Sequence, residues 1–364
     1  MGKYTAIEDP SAYFQTATYT GAGANQTVTN DGNSDLQPDW LWIKRRNAGY
    51  GHVLVDSNRG LGSSNPPYLA SEASDAENSN QNWISGVGTD SFTIGINEQN
   101  LSNTSGTYVA WQWKANGGTT SSNTDGGITT TVQANTDAGF SIITYTGDGA
   151  TSQTVGHGLG AVPKMIISKD RNSTSNVTNW RTYHQAIGNT KYLTLNSSDA
   201  AFTFDDWGNT TPTSSVYTIG GSGGYRPTNT NNTTYVAYVF ADVQGYSKFG
   251  SYVGNGSNSG PYIHLGFKPA FIMTKKSDGT SGWFMQDIKR GIKNQDTNTP
   301  VLQANGTFSE ATVGFTDYEI DFLSNGFKLR DNNTYVNASG STYIYMAFAE
   351  NPFVTSTGIP TTAR

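Results

Sequence analysis

Three segments of the chain alternate in hydrophobicity with a period of two, and they are similar to one another. They read TYVAWQWKA from Thr107, TYVAYVFAD from Thr234 and TYIYMAFAE from Thr342. A period of two is typical of a β-strand, whose successive side chains point to opposite faces. One face of each strand carries three large apolar residues, which we predict to fill a core: Val109, Trp111 and Trp113; Val236, Tyr238 and Phe240; Ile344, Met346 and Phe348.

Two further anchors precede each of these closing strands in the same order. The first is a strand that ends in Tyr-x-Gly, at Tyr19, Tyr145 and Tyr252. The second is a proline followed by an apolar strand that ends in lysine, over 38–44, 163–169 and 269–275. Low complexity alone would not keep three anchors in register, so the sequence predicts one module written three times. Each copy has about 105 residues, a size that can bury its own core.

The face pattern predicts an all-β chain of three tandem antiparallel β-sandwich modules. These modules, called copy 1, copy 2 and copy 3 below, are predicted over 12–116, 138–243 and 246–354. An N-terminal arm over 1–11 and a polar tail over 355–364 flank them. The segment 117–137 is rich in Gly, Ser, Thr and Asn, which is typical of a flexible linker. Copy 1 would then be freely placed, whereas the short link between copies 2 and 3 predicts a rigid pair.

The lysine that ends each Pro strand is expected at the rim of its sandwich. Lys44, Lys169 and Lys275 follow pairs of large apolar residues on the predicted inward face. We expect the stem of each lysine to be buried and its ammonium group to lie in water.

A recurring turn lies between these strands. It reads Asp56-Ser-Asn-Arg59-Gly60 in copy 1, Asp287-Ile-Lys-Arg290-Gly291 in copy 3 and His184-Gln-Ala-Ile187-Gly188 in copy 2. The shared glycine predicts a backbone with positive φ. The Asp and Arg could be interpreted as a catalytic pair, but copy 2 lacks both. We therefore predict a local salt bridge that fastens the turn.

Composition narrows the function classes. Charged residues make up only 14% of the chain and aromatic residues 12%, a balance that favours a folded β-protein. The net charge of -6 and the lack of a long basic face argue against a nucleic-acid partner. The chain has no Cys, which excludes disulfides and thiolate metal sites. No segment has the length and apolarity of a signal peptide or a membrane span, so we expect no membrane insertion.

The sequence contains few candidates for catalytic, metal-binding or sugar-binding residues. The acidic residues of Asp31–Asp35 have the spacing that begins a calcium loop, but the later Gly and Glu are missing, so calcium binding there stays open. The adjacent Asp205 and Asp206 cannot flank a glycosidic bond as a local pair. His157 is expected in a turn. We therefore predict no catalytic residue, no cofactor-binding residue and no metal ligand. Five aromatic residues could stack on sugars, although we favour the core for each: Tyr50, Tyr68, Trp83, Trp180 and Trp207.

Several strings resemble a repeated domain of tailed-bacteriophage virion structural proteins, a family common in aquatic phages and often called tail-fibre-like. They are YTGDG, HGLGAVPKMII, TYVAYVFADVQGYSKFGSYVGNG and FLSNGFKLR followed by TYIYMAFAENPF, and the opening KYTAIEDPSAYFQ is also similar. The resemblance runs from about residue 3 to 354. It implies lectin-like or laminin-G-like jelly rolls and provides no catalytic residues.

The resemblance implies a non-enzymatic virion surface protein: a tail fibre or tail accessory component that attaches to the host. Expected partners are other virion proteins of the capsid or tail, with a host surface glycan as a further partner, and we expect a homo-oligomer on the particle. The protein would be made in the host bacterial cytoplasm and reside on the virion surface. The alternatives are a capsid decoration or head-fibre protein and a glycan-degrading tail enzyme, which would need converging carboxylates.

Overall fold

The structure is a computed structural model that describes residues 4–63, 65–78, 83–95, 98–172, 179–222, 224–291, 294, 300–310 and 318–361. Its regular structure is nearly all β and consists of several antiparallel sheets, an arrangement consistent with a β-sandwich fold. The described helices are the 3₁₀ turns Pro10–Ala12, Ser57–Arg59 and Ile288–Arg290 and one α-helix, α1 (Thr334–Asn337).

Copy 1 forms two sheets. Its strands are β1 (Phe14–Thr20), β2 (Gln26–Thr29), β3 (Trp40–Arg45), β4 (His52–Asp56), β5 (Ile84–Gly88), β6 (Ser91–Ile94) and β7 (Thr107–Trp113). The larger sheet has the order β1-β7-β3-β4, and the smaller sheet has the order β2-β6-β5.

Copy 2 has the largest sheet of the molecule. Two of its strands come from the preceding segment 117–137: β8 (Ser121–Asn123) and β9 (Thr130–Asn135). The strands of copy 2 itself are β10 (Phe140–Thr146), β11 (Ser152–Gly156), β12 (Met165–Asp170), β13 (Arg181–His184), β14 (Lys191–Thr194), β15 (Phe202–Thr203), β16 (Val216–Gly220) and β17 (Thr234–Phe240). The eight-stranded sheet has the order β15-β14-β13-β12-β17-β10-β9-β8, and β11 pairs with β16.

Copy 3 repeats the two-sheet plan. Its strands are β18 (Ser247–Val253), β19 (Tyr262–His264), β20 (Phe267–Lys276), β21 (Trp283–Asp287), β22 (Leu302–Gln303), β23 (Ile320–Leu323), β24 (Gly326–Leu329) and β25 (Thr342–Pro352). The larger sheet has the order β18-β25-β20-β21-β22, and the smaller sheet has the order β19-β24-β23.

The tyrosine anchors of the repeat pair with each other across neighbouring strands. In copy 1, Tyr19 lies opposite Tyr108, and the two rings stack with centroids 5.1 Å apart. Copies 2 and 3 have the same stacked pair with centroids 4.9 Å apart. The first tyrosine hydroxyl of each pair donates a 2.9 Å hydrogen bond to a carbonyl just before the closing strand, at Leu101, Thr228 and Val336. The anchors therefore fix the register of the first and closing strands.

Among the described residues, the buried apolar side chains form one cluster shared by the three copies and one further cluster for each copy. A buried cluster in each copy belongs to that copy and fills the space beside its smaller sheet. A fourth cluster combines residues of all three copies, including Trp113, Phe240 and Phe348, each 1% exposed. The ring centroid of Phe348 lies 5.6 Å from that of Trp113 and 6.0 Å from that of Phe240. The predicted core face is therefore buried, but it packs against the other copies and not inside its own copy.

The segment predicted as a flexible linker is instead part of a sheet. Over 117–137, β8 pairs with β9, and β9 pairs with β10 of copy 2. Asp39 of copy 1 accepts hydrogen bonds from the backbone of Gly117 and Gly118 at 2.8 and 2.7 Å. The prediction was wrong because the run Thr-Thr-Thr-Val within this segment has high β-propensity, which its polar composition concealed. Copy 1 is accordingly packed against copies 2 and 3 and is not freely placed.

The N-terminal arm is also fixed within the chain. The described part of the arm begins at Tyr4, and Ile7 is 5% exposed within the shared core. The backbone N–H of Ala6 donates to the carbonyl of Gln244 at 3.0 Å, in the short link between copies 2 and 3. The arm therefore closes the shared core at the point where copies 2 and 3 join.

Candidate functional site

The three copies meet at three seams, which repeat the same contacts. We call them seam 1–2, seam 2–3 and seam 3–1 after the copies they join. At each seam a ring N–H from one copy donates to a backbone carbonyl of the preceding copy, with copy 3 preceding copy 1. These hydrogen bonds are Trp180 Nε1 to Ala70 O at 2.9 Å, Trp283 Nε1 to Thr194 O at 3.0 Å and His52 Nε2 to Gln303 O at 2.9 Å. The tautomer of His52 follows from Trp42, whose indole N–H donates to His52 Nδ1.

A second contact recurs at every seam between backbone groups. These hydrogen bonds are Glu77 N–H to Arg171 O, Ala201 N–H to Ser277 O and Glu310 N–H to Arg46 O. Because copy 3 contacts copy 1 at the same positions as copy 1 contacts copy 2, the three copies form a closed ring. The inward face of the larger sheet in each copy is thus covered by the other two copies.

The three lysines of the Pro strands are buried at these seams, so the prediction of solvated ammonium groups was wrong. Lys44, Lys169 and Lys275 are at most 1% exposed. Each Nζ donates to the carbonyl of the following residue at 2.6 to 2.7 Å. Burial lowers the pKa of Lys44 and Lys169 to about 8 and that of Lys275 to about 7. The neighbouring copy covers the position that would be a rim in an isolated module.

Seams 1–2 and 3–1 each contain a buried charged turn. Arg59 Nε lies 2.6 Å from Asp56 Oδ2, and Arg290 Nε lies 2.6 Å from Asp287 Oδ2, with all four side chains 0% exposed. These pairs confirm the predicted local salt bridges, and Gly60, Gly188 and Gly291 have the predicted positive φ of 100°, 80° and 103°. Burial disfavours the charged form of Arg290, which lowers its pKa. The attraction of the Asp287 carboxylate is stronger than this effect, so the pKa of Arg290 is raised overall.

The aspartate of each charged turn also accepts a hydrogen bond from the neighbouring copy. Tyr238 Oη donates to Asp56 Oδ2 at 2.8 Å, and Trp111 Nε1 donates to Asp287 Oδ2 at 2.9 Å. A glutamate and an arginine extend each cluster across the seam: Glu77 with Arg171 at 2.7 Å, and Glu310 with Arg46 at 2.8 Å. The carboxylates therefore have partners on both sides of the seam.

Seam 2–3 replaces this whole cluster with neutral residues. His184 and Ile187 occupy the positions of the aspartate and arginine of the turn. Ala201 and Ser277 occupy the positions of the glutamate and arginine that pair across the other seams. The residue of copy 3 at the position of Trp111 and Tyr238 is Met346, whose side chain has no N–H or O–H donor. A buried aspartate at this seam would lack its donor, and this explains why copy 2 has no charged pair there.

The aromatic residues considered for sugar stacking are mostly core residues. Trp83, Trp180 and Trp207 are buried at 7%, 0% and 1% exposure, as we favoured from the sequence. Tyr68 is half-buried and stacks on Trp83 with ring centroids 4.2 Å apart. Tyr50 is half-buried beneath the guanidinium of Arg45, 4.8 Å from its ring centroid.

The acidic candidates are engaged with other residues of the chain. Asp31 pairs with Lys289 Nζ at 2.7 Å. Asp206 lies 3.3 Å from Arg181 Nε, and burial raises the pKa of Asp206 to about 7 against the opposing charge of Arg181. Asp205 instead accepts from the backbone N–H of Ser222 at 3.1 Å. Among the residues that the structure describes, no three His, Cys, Asp or Glu residues are grouped to hold a metal ion.

Seam 3–1 contains an open cleft of about 190 Å³ that the sequence did not indicate. Its walls come from β1 and the loop after β2 in copy 1, and from the charged turn and the end of β25 in copy 3. Thr16, Asn33 and Asn351 are among the residues that line it. The one signal in the sequence was the change from Asn58 in the turn of copy 1 to Lys289 in the turn of copy 3.

The profile of a protein family, described as a domain of unknown function (DUF7483), matches residues 9–352. The chain belongs to this family. No curated protein and no solved structure matches the chain. The match spans all three copies of the repeat. In the described part of the chain, no helix is long and apolar enough to cross a membrane.

Proposed function

We propose that this protein is a non-enzymatic structural protein on the surface of a tailed-bacteriophage virion, in a tail fibre or tail accessory component, and that it works by binding. The observation that carries the proposal is the closed ring of three copies with one shared core. Such a ring holds many polar loops on a rigid scaffold, the arrangement on which recognition surfaces are usually built. The resemblance of the repeat to tail-fibre-like virion proteins supports the same role.

We further propose that each copy is a jelly-roll-like β-sandwich. Each copy has a larger and a smaller antiparallel sheet, and a buried cluster of its own accompanies them. In copy 3, for example, Phe327 of the smaller sheet packs with Tyr252 and Tyr345 of the larger one, at ring distances of 6.2 and 5.5 Å. These contacts support two layers per copy.

The proposed partners are other virion proteins of the tail or capsid, with the protein present as several copies on the particle. It would be made in the host bacterial cytoplasm and would gain host attachment through many weak contacts acting together. Binding of a host surface glycan is part of this proposal, since the loops are rich in Thr, Asn and Ser and carry little charge.

Purified virions test the proposal directly. The protein should be found by mass spectrometry in gradient-purified particles, and antibody raised against it should label those particles in electron micrographs. Label on the tail supports the tail role, whereas label confined to the head would favour capsid decoration. Absence of the protein from particles that contain the other structural proteins would refute a virion role.

The non-enzymatic part of the proposal needs its own assay. Purified protein should release no reducing ends from the surface polysaccharide of the host, under conditions in which a known depolymerase does. Sustained release that a single carboxylate substitution abolishes would replace the binding role with a catalytic one.

A further inference from the structure

The first large-sheet strand of copy 1 has an open edge. The backbone N–H of Lys114 donates to the carbonyl of Tyr13, so Tyr13 and every second residue after it bond to β7. The backbone groups of Phe14, Thr16 and Thr18 therefore point away from β7, to the side on which no described strand pairs with β1. Within the described ranges, nothing donates to or accepts from the backbone N–H and C=O groups of these three residues.

The same edge carries a further strand in copy 2. Counted from the tyrosine anchors, Ile142 and Thr144 of β10 are the equivalents of Thr16 and Thr18. Both pair with the antiparallel strand β9, in which Gln133 lies opposite Ile142. The strand that β9 adds to copy 2 shows that this edge of the repeat can take one more strand.

Copy 3 closes this edge with side chains of copy 2. The equivalent of Thr16 is Phe249, whose N–H donates to Asp242 Oδ1 at 2.8 Å and whose carbonyl accepts from the Gln185 amide at 2.8 Å. Thr16 has neither kind of partner in the part of the chain that the structure describes. An unbonded N–H and C=O at one strand position match the C=O and N–H of one residue in another extended chain.

The cleft of seam 3–1 follows the open edge. Phe14, Gln15 and Thr16 all line it. Successive side chains of a strand point to opposite faces, so a space that touches all three residues lies along the edge of the strand. One wall is the loop 31–33 of copy 1, and the other is formed by copy 3 at 288–289 and 349–351. An extended segment fits between two such walls, whereas the edge strand of a second folded copy would bring the rest of its sheet against them.

The charged groups of these walls are paired. Asp31 lies 2.7 Å from Lys289 Nζ, and Glu350 lies 2.6 Å from Lys268 Nζ. The walls therefore favour an uncharged segment, because a charge buried on the segment would have no counter-charge there. The strand β9 has this character, since all six of its residues, Thr130–Asn135, are uncharged and three of them are β-branched.

We infer that the edge of β1 at seam 3–1 binds an extended, uncharged segment of another protein as an additional antiparallel strand. Main-chain hydrogen bonds to Thr16 and Thr18 supply the affinity, as in other cases of β-strand addition. The inference rests on the binding role proposed above and names the surface and the kind of partner segment for it. The equivalent edges of copies 2 and 3 accept no such segment, since β9 and the side chains of Asp242 and Gln185 already bond there.

The probe is a synthetic peptide of residues 128–136 (ITTTVQANT), which contains β9, with both ends blocked. Titration of the labelled peptide with the full chain gives the affinity, and hydrogen exchange locates the bound peptide. Thr18→Pro removes an N–H that lies outside the β1–β7 ladder, a position at which an edge strand tolerates proline. Thr18→Val keeps this N–H and changes only an exposed side chain. Ser251→Pro is the matched control at the equivalent exposed position of β18 in copy 3.

The peptide should bind to the wild type saturably and slow hydrogen exchange at the amides of Thr16 and Thr18. Thr18→Pro should weaken binding about tenfold, the effect of one good hydrogen bond. Thr18→Val and Ser251→Pro should bind the peptide as the wild type does. A peptide that carries Gln133→Pro lacks the N–H that faces Thr16 and should also bind about tenfold more weakly, a result that does not depend on any variant folding.

Absence of saturable binding, equal affinity of Thr18→Pro and the wild type, or exchange protection confined to copy 2 would overturn the inference. A wild-type dimer in sedimentation that Thr18→Pro dissociates would also overturn it, because the edge would then belong to a second copy of the chain. Peptide binding is measured without virions, so the virion role and this docking edge can each fail alone.

Discussion

Replacing Phe348 by Ala tests whether the three copies share one core. Phe348 is 1% exposed, and its ring lies between 5.1 and 6.5 Å from six other aromatic rings: Phe14, Trp113, Phe240, Tyr246, Phe249 and Phe271. These rings belong to all three copies, so the cavity would open where the copies meet. Loss of a buried Phe side chain costs about 3–5 kcal/mol.

This loss of unfolding free energy predicts a lower melting temperature. An unfolding entropy of about 2.1 cal/mol/K per residue over the 364 residues gives about 0.8 kcal/mol per kelvin. Phe348→Ala should therefore lower the melting temperature by about 4–6 °C. The exposed Phe202, at 47%, supplies the control, and Phe202→Ala should shift the midpoint by less than about 1 °C.

Tryptophan fluorescence distinguishes a shared core from independent modules. Five of the eight tryptophans lie in copy 1: Trp40, Trp42, Trp83, Trp111 and Trp113. The substitution lies in copy 3, so with a shared core the fluorescence midpoint should fall by as much as the circular-dichroism midpoint. A fluorescence transition that stays at the wild-type temperature while copy 3 melts early would refute the shared core.

Three other perturbations follow from the seams. Arg290→Met should lower the free energy of unfolding in chemical denaturation by about 3–5 kcal/mol because it removes the charged partner of the buried Asp287, whereas a loss below about 1 kcal/mol would contradict that burial. The depressed pKa of about 7 for Lys275 means that the unfolded chain binds more protons between pH 7 and 10, so stability should rise with pH across that window. Lys275→Met should flatten this rise, and an unchanged slope would show that the ammonium is solvated. Limited digestion with subtilisin should spare 117–137, and early cutting there would show that β8 and β9 are not formed.

The repeat and its strands could be predicted from the sequence because their signals are local. The paired anchors Tyr19 and Tyr108 stand at fixed places in every copy, and the period of two separates the faces of the closing strand. The partner of each face could not be predicted in the same way. Both faces of the closing strands are largely buried, and only the contact of Trp113 with Phe348 shows that one face belongs to a core shared between copies.

The candidate site depends on contacts between residues that are far apart in the chain. Lys289 reaches Asp31 across seam 3–1, and no local pattern connects these two residues. The lysines of the Pro strands show the same limit: Lys169 is 1% exposed, and its Nζ donates to the carbonyl of Ser74 in copy 1 at 3.1 Å. A lysine at the end of a strand predicts an ammonium group in water, but the neighbouring copy buries these side chains.

The closed ring also determines when the protein can finish folding during its synthesis. The Trp-rich face of copy 1 is complete once Trp113 has been made, but its contact Phe348 follows near the end of the chain. At about 5–20 residues per second, a ribosome needs roughly 10–50 s to make the intervening segment. During that time Trp40, Trp42 and Trp111 lack some of the side chains that bury them in the folded protein. The nascent chain is therefore a natural client for chaperones, and messages that end before copy 3 would yield aggregation-prone fragments.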